Sequence, residues 1–339
     1  MGKRKEHHYV PQFYLKKFST NSDNTQIGIY NLKNKFLYYK APIKHQAKAK
    51  LLYGDNDVIE ARLGKLEDKA AGIITSIIND HDVPSIKSSE YISLIYFVLF
   101  QYTRTLGSEI RTNSQIDSLM NHTYEKLKGL KSEPEREKIP VTEIMSIAAT
   151  SLPLADYLCF QLLINETKIP FITSDNPIVM YNELMEKKKA LNFGAAWAFK
   201  GLQVFYPISP NYLLIWTDPF VYNCGDEILN PLIKTNDEND INQLNILQFL
   251  NCQEQLFFNL EFKKDQLNQI ENKYYYKKIS CQPNTFGLGS YSFVTGIEHK
   301  IGLNLSFNKL NKSGEEFRLG NRLVYFRHPS FEGIREKIR

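Results

Sequence analysis

The stretch Tyr157–Asn182, YLCFQLLINETKIPFITSDNPIVMYN, decides the fold. Its apolar residues come in short runs rich in β-branched and aromatic types, without helical spacing. It reads as two strands joined at Glu166-Thr167. LQVFYPIS (Leu202–Ser209) and YLLIWTD (Tyr212–Asp218) continue the pattern. Upstream the period is helical. In Asp55–Asp80, Leu63, Leu66, Ala70, Ile73, Ile74 and Ile77 fall on one arc. A second helix starts behind a Ser88-Ser89-Glu90 cap signal, runs through Tyr91–Leu106 and extends toward Leu127. VTEIMSIAATSL supplies a third. Near the amino terminus QIGIYNLKNKFLYYK (Gln26–Lys40) reads as a hairpin turning at Leu32–Lys35.

Helices gathered first and strands later predict an α+β fold, an N-terminal helical part packed on a mostly antiparallel sheet. DENDINQLNILQFLNCQEQLFF (Asp237–Phe258) reads as a late helix, and residues 1–262 as the core domain. Residues 263–339 read as a β-rich C-terminal extension packed on that core. It holds KYYYKKIS (Lys273–Ser280), KIGLNLSF (Lys300–Phe307) and RLVYF (Arg322–Phe326).

Hydrophobic residues make up 42% of the 339, with 21 Phe and 20 Tyr, which is a core-forming composition and not a disordered one. The net charge of +5 permits a nucleic-acid partner without requiring one. Four cysteines form no CxxC pair, which argues against a zinc knuckle or a disulfide framework. The longest apolar run, Tyr91–Phe100, is about half of the roughly 20 residues that span a bilayer. MGKRKEHHYV lacks the apolar region of a secretion signal, so a cytoplasmic protein with no membrane partner is expected. Nothing here sets an oligomeric state.

Several separated pieces share one pattern: His7-His-Tyr-Val-Pro-Gln-Phe-Tyr-Leu15, Glu60…Leu66-Glu67, Gln101-Tyr-Thr-Arg104, Ile172-Thr-Ser-Asp-Asn-Pro177, Pro207-Ile-Ser-Pro210 and a late Asn-bearing helix. In that order they resemble the bacterial domain-of-unknown-function family 4238, over about His7 to Asn259. Family members often carry a proline soon after the Arg, where this chain has Thr105-Leu106. The resemblance implies no activity and serves to rank residues; a toxin-like or anti-phage role follows only from the type of family.

On the helix Glu90–Leu106, apolar residues surround nearly the whole circumference, yet Gln101 and Arg104 share one arc. Buried polar groups must find partners, and Arg suits a carboxylate or phosphate bidentately. An Arg–carboxylate tie between helices competes with substrate binding for Arg104. Glu60 and Glu67, seven apart, lie on one face at the edge of the apolar arc. There a neighbouring charge or metal would act on them, or a rim lysine or arginine. Pro177 extends Asn176 and puts Asp175 at a break in a strand. Asp175 is either a metal ligand or base at a strand end, or an Asx corner. His7 and His8 sit beside Pro11, anchored by Phe13, Tyr14, Leu15 and Phe18. Each suits acid–base work near neutral pH or a structural hydrogen bond.

No Gly-x-Ser-x-Gly elbow, Walker loop or GxGxxG is present. The leading expectation is a phosphodiester hydrolase, a nuclease on RNA or DNA. Its catalytic residues are His8, Glu67 and Asp175, and its substrate-binding residues are His7, Gln101, Arg104 and Asn176. A divalent metal, Mg or Mn, on Glu67 and Asp175 fits such a set. KYYYKK, read either as a base-stacking cationic strip or as a solvated strand, would help hold the polymer. The rival is a non-catalytic sensor or interaction module, with these residues binding a small anion or forming a buried network beside a partner protein. The catalytic reading requires His8, Glu67, Arg104 and Asp175 to converge.

Overall fold

The computed structural model describes residues 6–54, 57–128, 136–155, 158–190, 194–225, 230–280, 285–288, 291–294 and 300–317. The amino-terminal part runs β1 (Glu6–His8), α1 (Gln12–Leu15), β2 (Gln26–Asn31), β3 (Phe36–Pro42) and β4 (Lys48–Lys50). Helices α2 (Asp57–Asp80), α3 (Ser89–Thr103), α4 (Leu106–Lys128), α5 (Val141–Ser146) and α6 (Leu152–Ala155) follow. Then come β5 (Cys159–Asn165), β6 (Thr173–Ser174), β7 (Val179–Tyr181), α7 (Glu183–Lys187), β8 (Gln203–Ser209) and β9 (Tyr212–Thr217). The chain continues through β10 (Tyr222–Cys224), β11 (Leu232–Thr235), α8 (Glu238–Asn251) and β12 (Gln255–Phe258). Beyond lie α9 (Lys264–Ser280), β13 (Thr285–Leu288), β14 (Tyr291–Val294), β15 (Asn308–Leu310) and α10 (Lys312–Glu316).

The fold is α+β. Its central sheet, in the order β11-β5-β9-β8-β7, is antiparallel except for the parallel β11–β5 pair. Every residue of β8 is buried, because the sheet is covered on both faces. Alternation splits its side chains. Phe160, Leu162, Val204, Tyr206, Leu214 and Trp216 pack with Tyr91, Leu94, Ile95 and Val98 of α3. Leu163, Phe205, Leu213 and Ile215 pack with Ile241, Leu244 and Leu247 of α8. The second sheet, β3-β2-β12-β6, is antiparallel. The Gln26–Lys40 hairpin forms its β2–β3 arm, and Lys35 takes the left-handed conformation at the turn (φ 57°).

Several readings of the sequence are corrected in detail. The second helix does not run past Leu106 unbroken: it ends at Arg104 (φ −91°, ψ 1°), and α4 restarts behind the Thr105 side chain, which accepts from Ser108 N–H at 3.0 Å. The second strand of the deciding stretch is not continuous: β6 joins β12 in the other sheet, whereas β7 pairs with β8 at the edge of the central sheet that holds β5. The late helix stops at Asn251, and QLFF is strand β12. KYYYKK belongs to helix α9, and its Lys278 is tied down. The Lys278 Nζ donates to Leu250 O at 2.9 Å and to Cys252 O, capping the end of α8.

Helix α9 buries Leu267, Ile270 and Tyr274 against Phe249, Leu250 and Phe258. Leu303, Leu305 and Phe307 join the α8 side of the central sheet, in a segment KIGLNLSF that forms no strand before Asn308. RLVYF lies outside the described residues. Cys159, Cys224 and Cys252 are free thiols, and no described helix is long and apolar enough to cross a membrane.

Candidate functional site

The adjacent histidines point to opposite sides because β1 is a strand, paired antiparallel with β4. His7 is fully buried. Its ring stacks on Tyr53 at 5.2 Å, and its Nδ1 accepts the Tyr53 backbone N–H at 3.1 Å. His8 is half-buried, with Nε2 at 3.3 Å from Lys44 O. A carbonyl only accepts, so that nitrogen carries the proton and Nδ1 keeps its lone pair. Burial lowers the His8 pKa below its ordinary value, and the Lys48 charge adds to this. The bond to Lys44 O and the charges of Glu67 and Glu6 oppose it. The imidazole is therefore neutral near pH 7.

Behind His8 stands a buried polar chain. Arg104, 1% exposed, donates from Nη1 to Glu67 Oε1 at 2.6 Å. Its Nε and Nη2 both reach Gln101 Oε1, at 2.8 and 2.6 Å. Gln101 in turn donates from Nε2 to Tyr9 O at 2.9 Å. Tyr53 lies beside Arg104 and donates its hydroxyl to His8 O at 3.3 Å. Burial alone would lower the Arg104 pKa. The Tyr53 and Glu67 neighbours outweigh it, so the guanidinium is held charged. Glu67 is half-buried, and its second oxygen makes no hydrogen bond to the described residues. The fold thus brings His8, Glu67, Gln101 and Arg104 together, with His7 attached through Tyr53. Tyr206, fully buried beneath, responds to the charges of both Arg104 and Glu67. Neither Tyr53 nor Tyr206 was marked by any sequence signal, since tyrosines are common in this chain and most serve the core.

Asp175 and Asn176 do a different job. Asp175 turns toward the α8–β12 corner, where its carboxylate accepts three backbone N–H groups: Gln253 (2.8 Å), Glu254 (2.6 Å) and Gln255 (3.1 Å). Burial lifts its pKa while those three donors pull it back, and the net direction is up. Those donors take up three of the carboxylate's roughly four lone-pair sites and leave little of it for a metal. Among the described residues no group of three or more His, Cys, Asp or Glu is placed to hold a metal ion. Asn176 accepts from Thr105 Oγ1 at 2.8 Å and donates to Asn251 O at 3.1 Å. A Cβ added at Gly107 would come within 3.2 Å of the Asn176 side chain, so the α3–α4 break closes on this corner.

Sequence reading missed the partners of TSDNP. Asn245, Gln248 and Asn251, at intervals of three, line one face of α8. Asn245 bonds Pro170 O and Ile172 N–H, both at 3.0 Å, and Gln248 bonds Pro177 O (2.7 Å) and Ser174 Oγ (3.1 Å). Asn251 takes Asn176 O (2.5 Å) and Ile178 O (3.0 Å). Amides spaced three apart among the apolar residues of this helix were the signal that could have found this ladder.

No curated protein and no solved structure matches the chain. A family model described as "Protein of unknown function (DUF4238)" matches residues 6–261, from β1 to just past β12, and so takes in every residue of the polar chain and of the TSDNP ladder. The protein belongs to the DUF4238 family.

Proposed function

We propose that the protein is a phosphodiester hydrolase, a nuclease on RNA or DNA, in which His8 is the general base and Glu67 its charged partner. The observation that carries this reading is the setting of His8: Nε2 on Lys44 O, Nδ1 with no hydrogen bond to the described residues, a half-exposed position, and burial that holds its pKa below the ordinary value. Nδ1 would take the proton from the attacking hydroxyl, water or a ribose 2′-OH, as it adds to phosphorus. The Glu67 carboxylate, fixed by Arg104, would stabilise the imidazolium that forms. The imidazolium would then return the proton to the leaving oxygen as the P–O bond breaks. Lys44 and Lys50, exposed on the same amino-terminal unit, supply positive charge for the polymer. A toxin-like or anti-phage effector is one setting for such an activity.

One observation favours the rival reading, a non-catalytic binding module. The Arg104 guanidinium is already committed to Glu67 and Gln101, as in a structural tie. Turnover separates the two. Purified full-length protein is incubated with end-labelled RNA and single-stranded DNA, with and without a chelator. Wild type is expected to cleave, and His8→Ala to lose about 10²–10⁴-fold, the usual share of a general base. Intact polymers under every condition would leave the binding module standing, and equal cleavage by His8→Ala would overturn His8 as the general base.

A further inference from the structure

The α2–α3 seam that carries Glu67 and Arg104 continues into a cavity of about 330 Å³. Leu63 and Leu66 of α2, Phe100 of α3 and Met145 of α5 give it apolar walls, and Arg62 and Ser146 stand at its exposed rim. Glu67 follows Leu66 directly and lies one helical turn beyond Leu63. Arg104 lies one turn beyond Phe100, whose carbonyl accepts its N–H at 3.0 Å. Tyr53 spans the boundary: it packs in one apolar cluster with Leu63 and Met145, and its hydroxyl reaches His8 O. The cavity and the Glu67–Arg104 pair are therefore neighbouring compartments of one seam, which Tyr53 ties to the His8 backbone.

We infer that this cavity receives a single unpaired nucleobase of the strand whose phosphodiester lies at His8. The inference rests on the proposed nuclease reading and narrows it to single strands and loops. Size is the first argument. A cavity of about 330 Å³ sits at the bottom of the roughly 300–1,000 Å³ range of small-molecule sites, enough for one ring system and far too little for a duplex or a peptide helix. Chemistry is the second. Apolar walls with a half-exposed Phe100 offer a stacking face, and the Arg62 guanidinium at the rim stacks on a ring or pairs with a flanking phosphate. A base reaches such a cavity only when it is out of its stack, which unpaired strands allow at least expense.

The test separates the cavity from the chemistry. Binding of adenosine 5′-monophosphate to the full chain is measured by calorimetry against ribose 5-phosphate, which lacks the base. Cleavage is then compared on a single strand and on the same sequence annealed as a duplex. The mononucleotide is expected to bind and ribose 5-phosphate to bind at least about tenfold more weakly, within the contribution of one base–aromatic stack. Ser146→Trp, which blocks the mouth from an exposed position, should abolish the difference with the melting temperature unchanged, and Ser146→Ala should retain it. Base-dependent binding that Ser146→Trp removes, without any cleavage, upholds the cavity and overturns the nuclease reading. Cleavage of duplex and single strand at equal rates, or equal affinity for the two phosphates, overturns the inference whatever the turnover.

Discussion

Asp175 and His8 were both candidates for chemistry on residue type alone, and their surroundings assign them opposite tasks. A carboxylate that accepts three successive backbone N–H groups is holding a corner. Asp175→Asn keeps the size but turns one acceptor into a donor that faces donors. Each stranded N–H costs about 1–3 kcal/mol, so a loss of about 3 kcal/mol is expected in urea unfolding. An unchanged unfolding midpoint would show that the corner does not depend on the carboxylate. The sequence offered a structural corner as one reading of Asp175 but not its partners, because main-chain amides of residues 253–255 carry no residue-type signature. The His8 side chain, by contrast, was legible as an acid–base candidate from its neighbourhood of Pro11 and the Phe13–Phe18 anchors. Its separation from His7 needed the strand β1.

At the scale of elements, period and run length were sufficient where packing is regular. Helix α2 follows its apolar arc, and β5, β8 and β9 are the near-continuous apolar runs of a sheet covered on both faces. The failures share one physical cause, partners distant in sequence. KYYYKK is β-prone locally, yet α9 is helical because Leu267, Ile270 and Tyr274 meet α8 and β12 on one face. The α3–α4 break carries neither Gly nor Pro before Leu106. It depends on Thr105, which caps α4 and donates to Asn176. Family members' frequent proline after the Arg fits the same break, since proline suits the first turn of a helix. Thr105→Ala should therefore lower stability by about 1–2 kcal/mol, read as a lowered melting temperature, with Thr105→Ser close to wild type. If Thr105→Ala melts with wild type, the break is set by something other than this cap.

Over the whole molecule, the central sheet and its two covering layers decide which polar residues meet. Strand β1, helix α2 and the end of α3 arrive at one place from positions 8, 67 and 104, while TSDNP is drawn away to α8. Convergence of three of the four expected ionisable residues is a property of this topology, visible in the sequence only as a family pattern. The claim on which the functional account turns is that burial keeps His8 neutral while Glu67, held by Arg104, supports its imidazolium. Its most direct test is an NMR titration of the His8 ring in wild type and Glu67→Gln. The wild-type ring should carry its neutral proton on Nε2 and titrate below the ordinary 6.5. Glu67→Gln removes a charge that supports the imidazolium, so the midpoint should fall further. A midpoint at or above 6.5, or one that ignores Glu67→Gln, would contradict the account.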